Sequence, residues 1–209
     1  ICALLTYPYV SRKLEVTGIG IYDFVDSIIN YLILFSMLGI SACGIREIAT
    51  KRQDKEALSR TFSSILLFNL FTTLVAIIAL LIAMHTVEML FQYRTLFYIG
   101  ICKLLLNTFL IEWFYTGMED FAYIAKRNLA IKVLYVFCIF LFIKDKNDCT
   151  QYYIITVSSV ALNAIINIIY CKKYVKITLK GLNFKPYLST ILSIGLYKIV
   201  TSLYTSLNI

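Results

Sequence analysis

Two lysines stand where the surrounding residues are almost entirely apolar: Lys103 near the middle of the run Thr95–Trp113, and Lys198 near the middle of Tyr187–Leu207. On a helix in lipid neither side chain reaches a surface easily, and each would cost about 2.5–3.5 kcal/mol on insertion scales. Such a cation calls for a partner inside the bundle or a water-filled cavity that receives an anion. Asn107 follows Lys103 at i+4 and extends the same polar face. Lys132 is a third candidate intramembrane cation, and Arg12 a further one after the first apolar segment. Asp23, Asp26 and Asn30 share one face of a helix by their spacing. They read either as a wetted helix start that suits the positive end of the dipole, or as a coupling site for protons or sodium or a counter-charge to the lysines. Ser159, Asn163 and Asn167 recur every fourth residue. That stripe either ties helices together, at about 0.6–2 kcal/mol per hydrogen bond, or lines a cavity for ligand hydroxyls.

The elements that hold these groups follow from composition. Of 209 residues, 60% are hydrophobic and 15% charged, and the mean hydropathy is +0.79. A soluble domain carries more charge, so the chain reads as an all-α polytopic membrane protein. The net charge of +8 sits mainly between apolar runs, which makes anionic membrane lipids the counter-charge rather than nucleic acid. The chain begins at Ile1, inside an apolar segment and without Met, so the first span is expected to be truncated and the sequence a fragment. The six cysteines (Cys2, Cys43, Cys102, Cys138, Cys149, Cys171) form no CxxC pair. Most lie in apolar runs as small hydrophobes, and Cys149 is expected to meet water. The single histidine, His85, has no metal-ligand spacing around it, so no metal or cofactor is expected.

Crossing the hydrocarbon takes about 20 apolar residues. The candidate spans are a partial one at Ile1–Val10, closing on Pro8 before a charged loop at Arg12, Lys13 and Glu15, and then Gly20–Gly44, Phe62–Met84, Thr95–Trp113, Ile124–Ile143, Tyr152–Cys171 and Tyr187–Leu207. Six complete helices plus a truncated first are therefore expected. Basic residues crowd alternate connections: Arg46, Lys51, Arg52, Lys55 and Arg60; Lys126, Arg127 and Lys132; Lys172, Lys173, Lys176, Lys180 and Lys185. The intervening ones hold Arg12, Lys13, Arg94, Lys144 and Lys146. This bias predicts that even-numbered spans end in the cytoplasm and that the N-terminus starts there. Aromatic clusters at span ends (Phe91/Tyr93, Trp113/Phe114/Tyr115, Tyr152/Tyr153) predict an interfacial belt.

Two segments carry a resemblance. "YPYVSRKLEVTGIGIYDFVDSIINY", with "LGISACGIREIATKR" after it, and "EWFYTGMEDFAYIAKRN" from Glu112 to Asn128 resemble Wzx-type polysaccharide flippases. The basic loop Lys172–Lys185 leading to Pro186 and "LYTSLNI" looks like the entry to that family's seventh helix. The resemblance implies membership of the multidrug/oligosaccharidyl-lipid/polysaccharide exporter superfamily, with two six-helix lobes about a central cavity. It implies a first lobe over residues 1–180 and, over 181–209, a linker and the first helix of a missing second lobe. The implied activity is flipping of undecaprenyl-diphosphate-linked oligosaccharide across the bacterial cytoplasmic membrane, with a polysaccharide polymerase and a chain-length regulator as candidate companions. Lys103, Lys198, Lys132 and Arg12 would face the diphosphate, Asn107, Asn163 and Asn167 the sugars, and Asp23, Asp26 and Asn30 a coupling ion. The family usually has Gly where Glu15 stands, and more often neutral residues at Asp23 and Asp26. Two alternatives stay open: a cation-coupled multidrug exporter of the same superfamily, and a polytopic acyl- or glycosyltransferase with only His85, Glu112, Glu119 and Asp120 to work with.

Overall fold

The computed structural model describes residues 2–37, 39–146, 148–178, 182 and 184–207, with side chains described except at 2–5, 185, 186, 198, 199, 202, 203 and 205–207. Among the described residues the secondary structure is entirely helical. The first element, α1 (Cys2–Met37), runs through Pro8 and is broken at Glu15 alone. The expected loop at Arg12, Lys13 and Glu15 thus shrinks to one residue. The cause is packing: Val10 and Leu14, one helical turn apart, are buried with Ile139 and Ile143, while Arg12 and Lys13 stay exposed on the other side. Glu15 has φ 56° and ψ 174°, a region open almost only to glycine and costing other residues about 1–3 kcal/mol.

After Gly39 the chain re-enters a helix, α2 (Ile40–Lys51), so the expected span Gly20–Gly44 is divided. α3 (Lys55–Thr86) begins earlier than its apolar stretch because Asp54 caps it, accepting from the backbone N–H of Glu56 at 2.9 Å and of Ala57 at 3.1 Å. A short α4 (Glu88–Gln92) leads into α5 (Arg94–Asn107). A 3₁₀ turn (Thr108–Leu110) and a left-handed Ile111, φ 38°, then separate α5 from α6 (Glu112–Gly117). The long helices α7 (Phe121–Phe142), α8 (Cys149–Cys171) and α9 (Lys185–Leu207) complete the chain.

Among the described residues, four stretches are long and apolar enough to cross a membrane: Thr6–Met37, Lys55–Thr86, Arg94–Gly117 and Cys149–Cys171. The protein is an all-α polytopic membrane protein. α7, a continuous helix of 22 residues, carries Lys126, Arg127 and Lys132 and is not among them.

The aromatic segment Trp113–Tyr115 is not an interfacial belt. The turn at Ile111 swings α6 back into the bundle, and Trp113, Phe114 and Tyr115 are all buried. They pack with Phe62, Ile48 and Ile65 into a core where α2, α3, α6 and the end of α8 meet. Phe62 and Phe114 meet edge-on, their ring centroids 5.0 Å apart. Gly44 makes this approach possible, since a Cβ there would lie 2.5 Å from the Trp113 ring. Tyr153 is likewise buried, in a second core with Val25, Ile29, Phe97 and Leu104 that joins α1, α3, α5 and α8. Phe91, by contrast, is exposed. Cys149 is half-buried, its thiol donating to the Gly18 carbonyl at 3.3 Å.

Candidate functional site

Within the second core's outer wall, α1 and α5 bring three of the predicted polar residues together. Lys103 Nζ donates to Asp26 Oδ1 at 2.6 Å and to Asn30 Oδ1 at 3.0 Å, and Asn30 Nδ2 donates to Asp26 Oδ2 at 3.0 Å. Each pair bond is thus braced by a third group, which fixes both charges in one geometry. The Lys103 and Asp26 side chains are only 12% and 15% exposed, so each charge depends on the other to offset its desolvation, and removing one would leave the other uncompensated. Lys103 is therefore not an isolated cation; its charge is matched inside the bundle. Asn30 itself is exposed and, with Ser27, Tyr31 and Leu34, borders a shallow depression of about 290 Å³. The cluster is thus sealed against its own helices and open on one side.

The other predicted site residues are placed apart from it. Asn107 donates to the Met37 thioether at 3.2 Å. Asp23 is exposed near the cluster's helix face and makes no ion pair among the described residues. Arg12 and Lys132 are exposed on α1 and α7. Asn163 donates back to the Ser159 carbonyl of its own helix at 3.2 Å. The side chain of Lys198 lies outside the described residues.

Asn167, one turn beyond Asn163, belongs to a second polar centre, buried where α6, α7 and α8 meet. Its amide oxygen accepts from Arg127 and, at 3.1 Å, from the Tyr123 hydroxyl, while its amide nitrogen donates to the Leu110 carbonyl. Arg127 also pairs with Glu112 at 2.7 Å, donates to Asn128 at 2.9 Å and lies over the Tyr123 ring. Tyr115 donates to the Asn167 backbone carbonyl. Beyond it, Tyr170 and Tyr174 both donate to Asp120, at 3.1 and 2.8 Å, and Tyr123 stacks on Tyr170 with centroids 3.8 Å apart. The Tyr174 hydroxyl is held protonated by its contact with Tyr170, by burial and by Asp120. Arg127 is the member that sequence reasoning left among loop charges. The signal was present: Glu112 and Asp120 accompany it in "EWFYTGMEDFAYIAKRN", and a cation next to acids within apolar sequence is expected to pair.

A third junction ties α9 to the rest. Lys51 Nζ donates to Glu47 at 2.9 Å and to Thr61 and Tyr187 at 3.2 Å each. The Lys51 ammonium loses solvation there, but Glu47 and Tyr187 outweigh that loss and hold its pKa above the ordinary lysine value. Nearby, Gly39 lets α9 close in, since a Cβ there would lie 2.4 Å from the Ile191 carbonyl oxygen.

The whole chain, residues 1–209, matches the model of a family described as "Polysaccharide biosynthesis protein". A protein of Escherichia coli (strain K12) named "Putative O-antigen transporter" is 22% identical over 149 residues, which cover 69% of this chain and 35% of that protein. The chain thus spans about a third of the length of the curated relative it matches. No solved structure matches it. With apolar helices of spanning length, a paired charge cluster within them and a family match from end to end, the chain belongs to the polysaccharide biosynthesis protein family, in keeping with the Wzx-type resemblance of its two motifs.

Proposed function

We propose that the intact protein flips undecaprenyl-diphosphate-linked oligosaccharide across the bacterial cytoplasmic membrane, with its N-terminus in the cytoplasm and without covalent chemistry. The observation that carries this reading is the family match over every residue of the chain. The Asp26–Asn30–Lys103 cluster supplies a physical means. A diphosphate entering the depression beside Asn30 competes with Asp26 for the Lys103 ammonium. A proton or sodium ion reaching Asp26 frees Lys103 for the anion, so coupling ion and substrate act on one pair from its two ends. Asp23 offers the ion a wetted first stop, and the exposed Arg12 and Lys132, with Lys198, remain secondary candidates for the diphosphate. Asn107 and Asn163 are the candidates for sugar hydroxyls. Asn167, fully committed to Arg127, Tyr123 and Leu110, serves this reading better as a brace between helices. The division into a lobe over 1–180 and a linker plus helix over 181–209 belongs to the same proposal, as do a polymerase and a chain-length regulator as companions.

One observation favours the cation-coupled exporter as a second reading. Lys103 is neutralised by Asp26, and Asp23 makes no ion pair among the described residues, so the cluster is not net basic. Reconstituting the intact protein in proteoliposomes with a labelled polyprenyl-diphosphate oligosaccharide decides between them. Gradient-dependent movement of the label between leaflets is the expected result. Efflux of organic cations with a stationary label would replace the proposal by the exporter.

A further inference from the structure

The end of the bundle where α3 begins and α8 finishes holds a cleft of about 640 Å³ that the transport reading does not use. Its walls carry Lys55, Arg60, Lys172, Lys173 and Lys176 against a single acid, Glu56. Arg60 is spent on Glu56 by an i,i+4 ion pair, whereas the four lysines make no ion pair among the described residues. Four uncompensated ammonium groups around one concavity repel each other and raise the local potential, a cost that an anion of matching charge removes.

The cleft is also built rather than splayed. The segment after α8 is fastened to α3 by two backbone donors: Lys176 N–H to Ser59 Oγ at 3.2 Å and Thr178 N–H to Ser63 Oγ at 3.0 Å. Lys173 is positioned over the rings of Tyr170 and Tyr174, 5.6 Å from each centroid. Tyr174 is in turn held by Asp120. Val175 is buried beneath and supplies an apolar floor beside the charged rim. An apolar base with a ring of lysines at the end of spanning helices matches a lipid, with acyl chains along the helices and a phosphate among the ammonium groups.

We propose that this cleft, formed by Lys55, Lys172, Lys173 and Lys176, is a binding site for a net-anionic, phosphate-bearing lipid headgroup at the membrane face. The proposal does not require the transport reading: an anionic bilayer phospholipid and a polyprenyl diphosphate, the headgroup of the proposed cargo, share the required chemistry.

Binding to the intact protein in a neutral detergent, read by native mass spectrometry, tests it with three probes: cardiolipin, geranylgeranyl diphosphate and phosphatidylcholine. Cardiolipin or geranylgeranyl diphosphate is expected to bind and phosphatidylcholine not. Whichever of the two binds more tightly identifies the source. Each lysine near a phosphate is worth about fivefold, so the quadruple variant K55Q/K172Q/K173Q/K176Q loses roughly a hundredfold or more in affinity. The quadruple Lys→Arg variant retains binding, and no variant unfolds at an appreciably lower temperature than the parent, because the four side chains are exposed. The proposal is overturned if phosphatidylcholine binds equally well, or if the glutamine variant, still folded, binds within about threefold of the parent.

Discussion

Asn163 and Asn167 are the same residue type on the same helical stripe, one turn apart, yet truncating them should have very different effects. Asn163→Ala removes one donor bond to its own helix, from Nδ2 to the Ser159 carbonyl. Asn167→Ala removes three bonds between helices: one from the Arg127 guanidinium, one from Tyr123 and one to Leu110. Within membranes an interhelical hydrogen bond averages about 0.6 kcal/mol, with a maximum of about 1.7. Two ordinary bonds and one charged bond then give about 3 kcal/mol. The guanidinium, 3% exposed and with no partner for Nε among the described residues, cannot recover the lost acceptor from water. Asn167→Ala should therefore destabilise by about 3 kcal/mol, and Asn163→Ala by under about 1 kcal/mol. Denaturant unfolding of the purified protein in mixed micelles, followed by far-UV circular dichroism, reads the difference. If the two variants unfold within about 0.5 kcal/mol of each other, the buried arginine network is not the structural centre described above.

Other substitutions probe separate parts of the account. Glu15→Gly relieves a backbone strain of about 1–3 kcal/mol at the cost of some unfolded-state entropy; thermal unfolding should move upward, and an unchanged or lower midpoint would contradict the strain at φ 56°. Gly44→Ala pushes a methyl group to 2.5 Å from the Trp113 ring and should cost about 1–3 kcal/mol of overpacking, visible as altered Trp113 fluorescence together with a lowered midpoint. Asp148 accepts from the backbone N–H groups of Asp145 and Lys144 at 2.9 Å each, which holds its carboxyl below the ordinary value of 3.8. The ionised form is the one the fold favours, so its stabilisation is present above about pH 4 and fades as pH falls through the depressed pKa. Asp148→Ala should accordingly be less stable than the parent at pH 7 and converge with it in acid, as measured by unfolding midpoints across pH.

The helical, membrane-spanning class was legible in hydropathy because lipid leaves little choice for apolar runs of this length. Boundaries were less so. The charges at Arg12, Lys13 and Glu15 looked like a loop, but an exposed basic face does not end a helix whose other face, Val10 and Leu14, is buried. Trp113–Tyr115 looked interfacial because the sequence carries no glycine to announce the left-handed Ile111 that turns α6 inward. Spacing placed Asp26 and Asn30 on one face but could not say which helix lay opposite. Whether Lys103 met a cavity or a carboxylate depends on a contact between residues 77 positions apart. Composition likewise gave no means to separate Asn167 from Asn163, since both lie on the stripe and differ only in what α7 brings against it.

The claim that matters most is that the Lys103–Asp26 pair is a working site and not merely a helix tie. Lys103→Met in the intact protein, expressed in a strain lacking its own polysaccharide transporter, tests it with protein abundance measured alongside surface polysaccharide. The account predicts a folded, membrane-inserted variant whose surface polysaccharide falls at least about tenfold. Normal surface polysaccharide at normal abundance of the variant would contradict it.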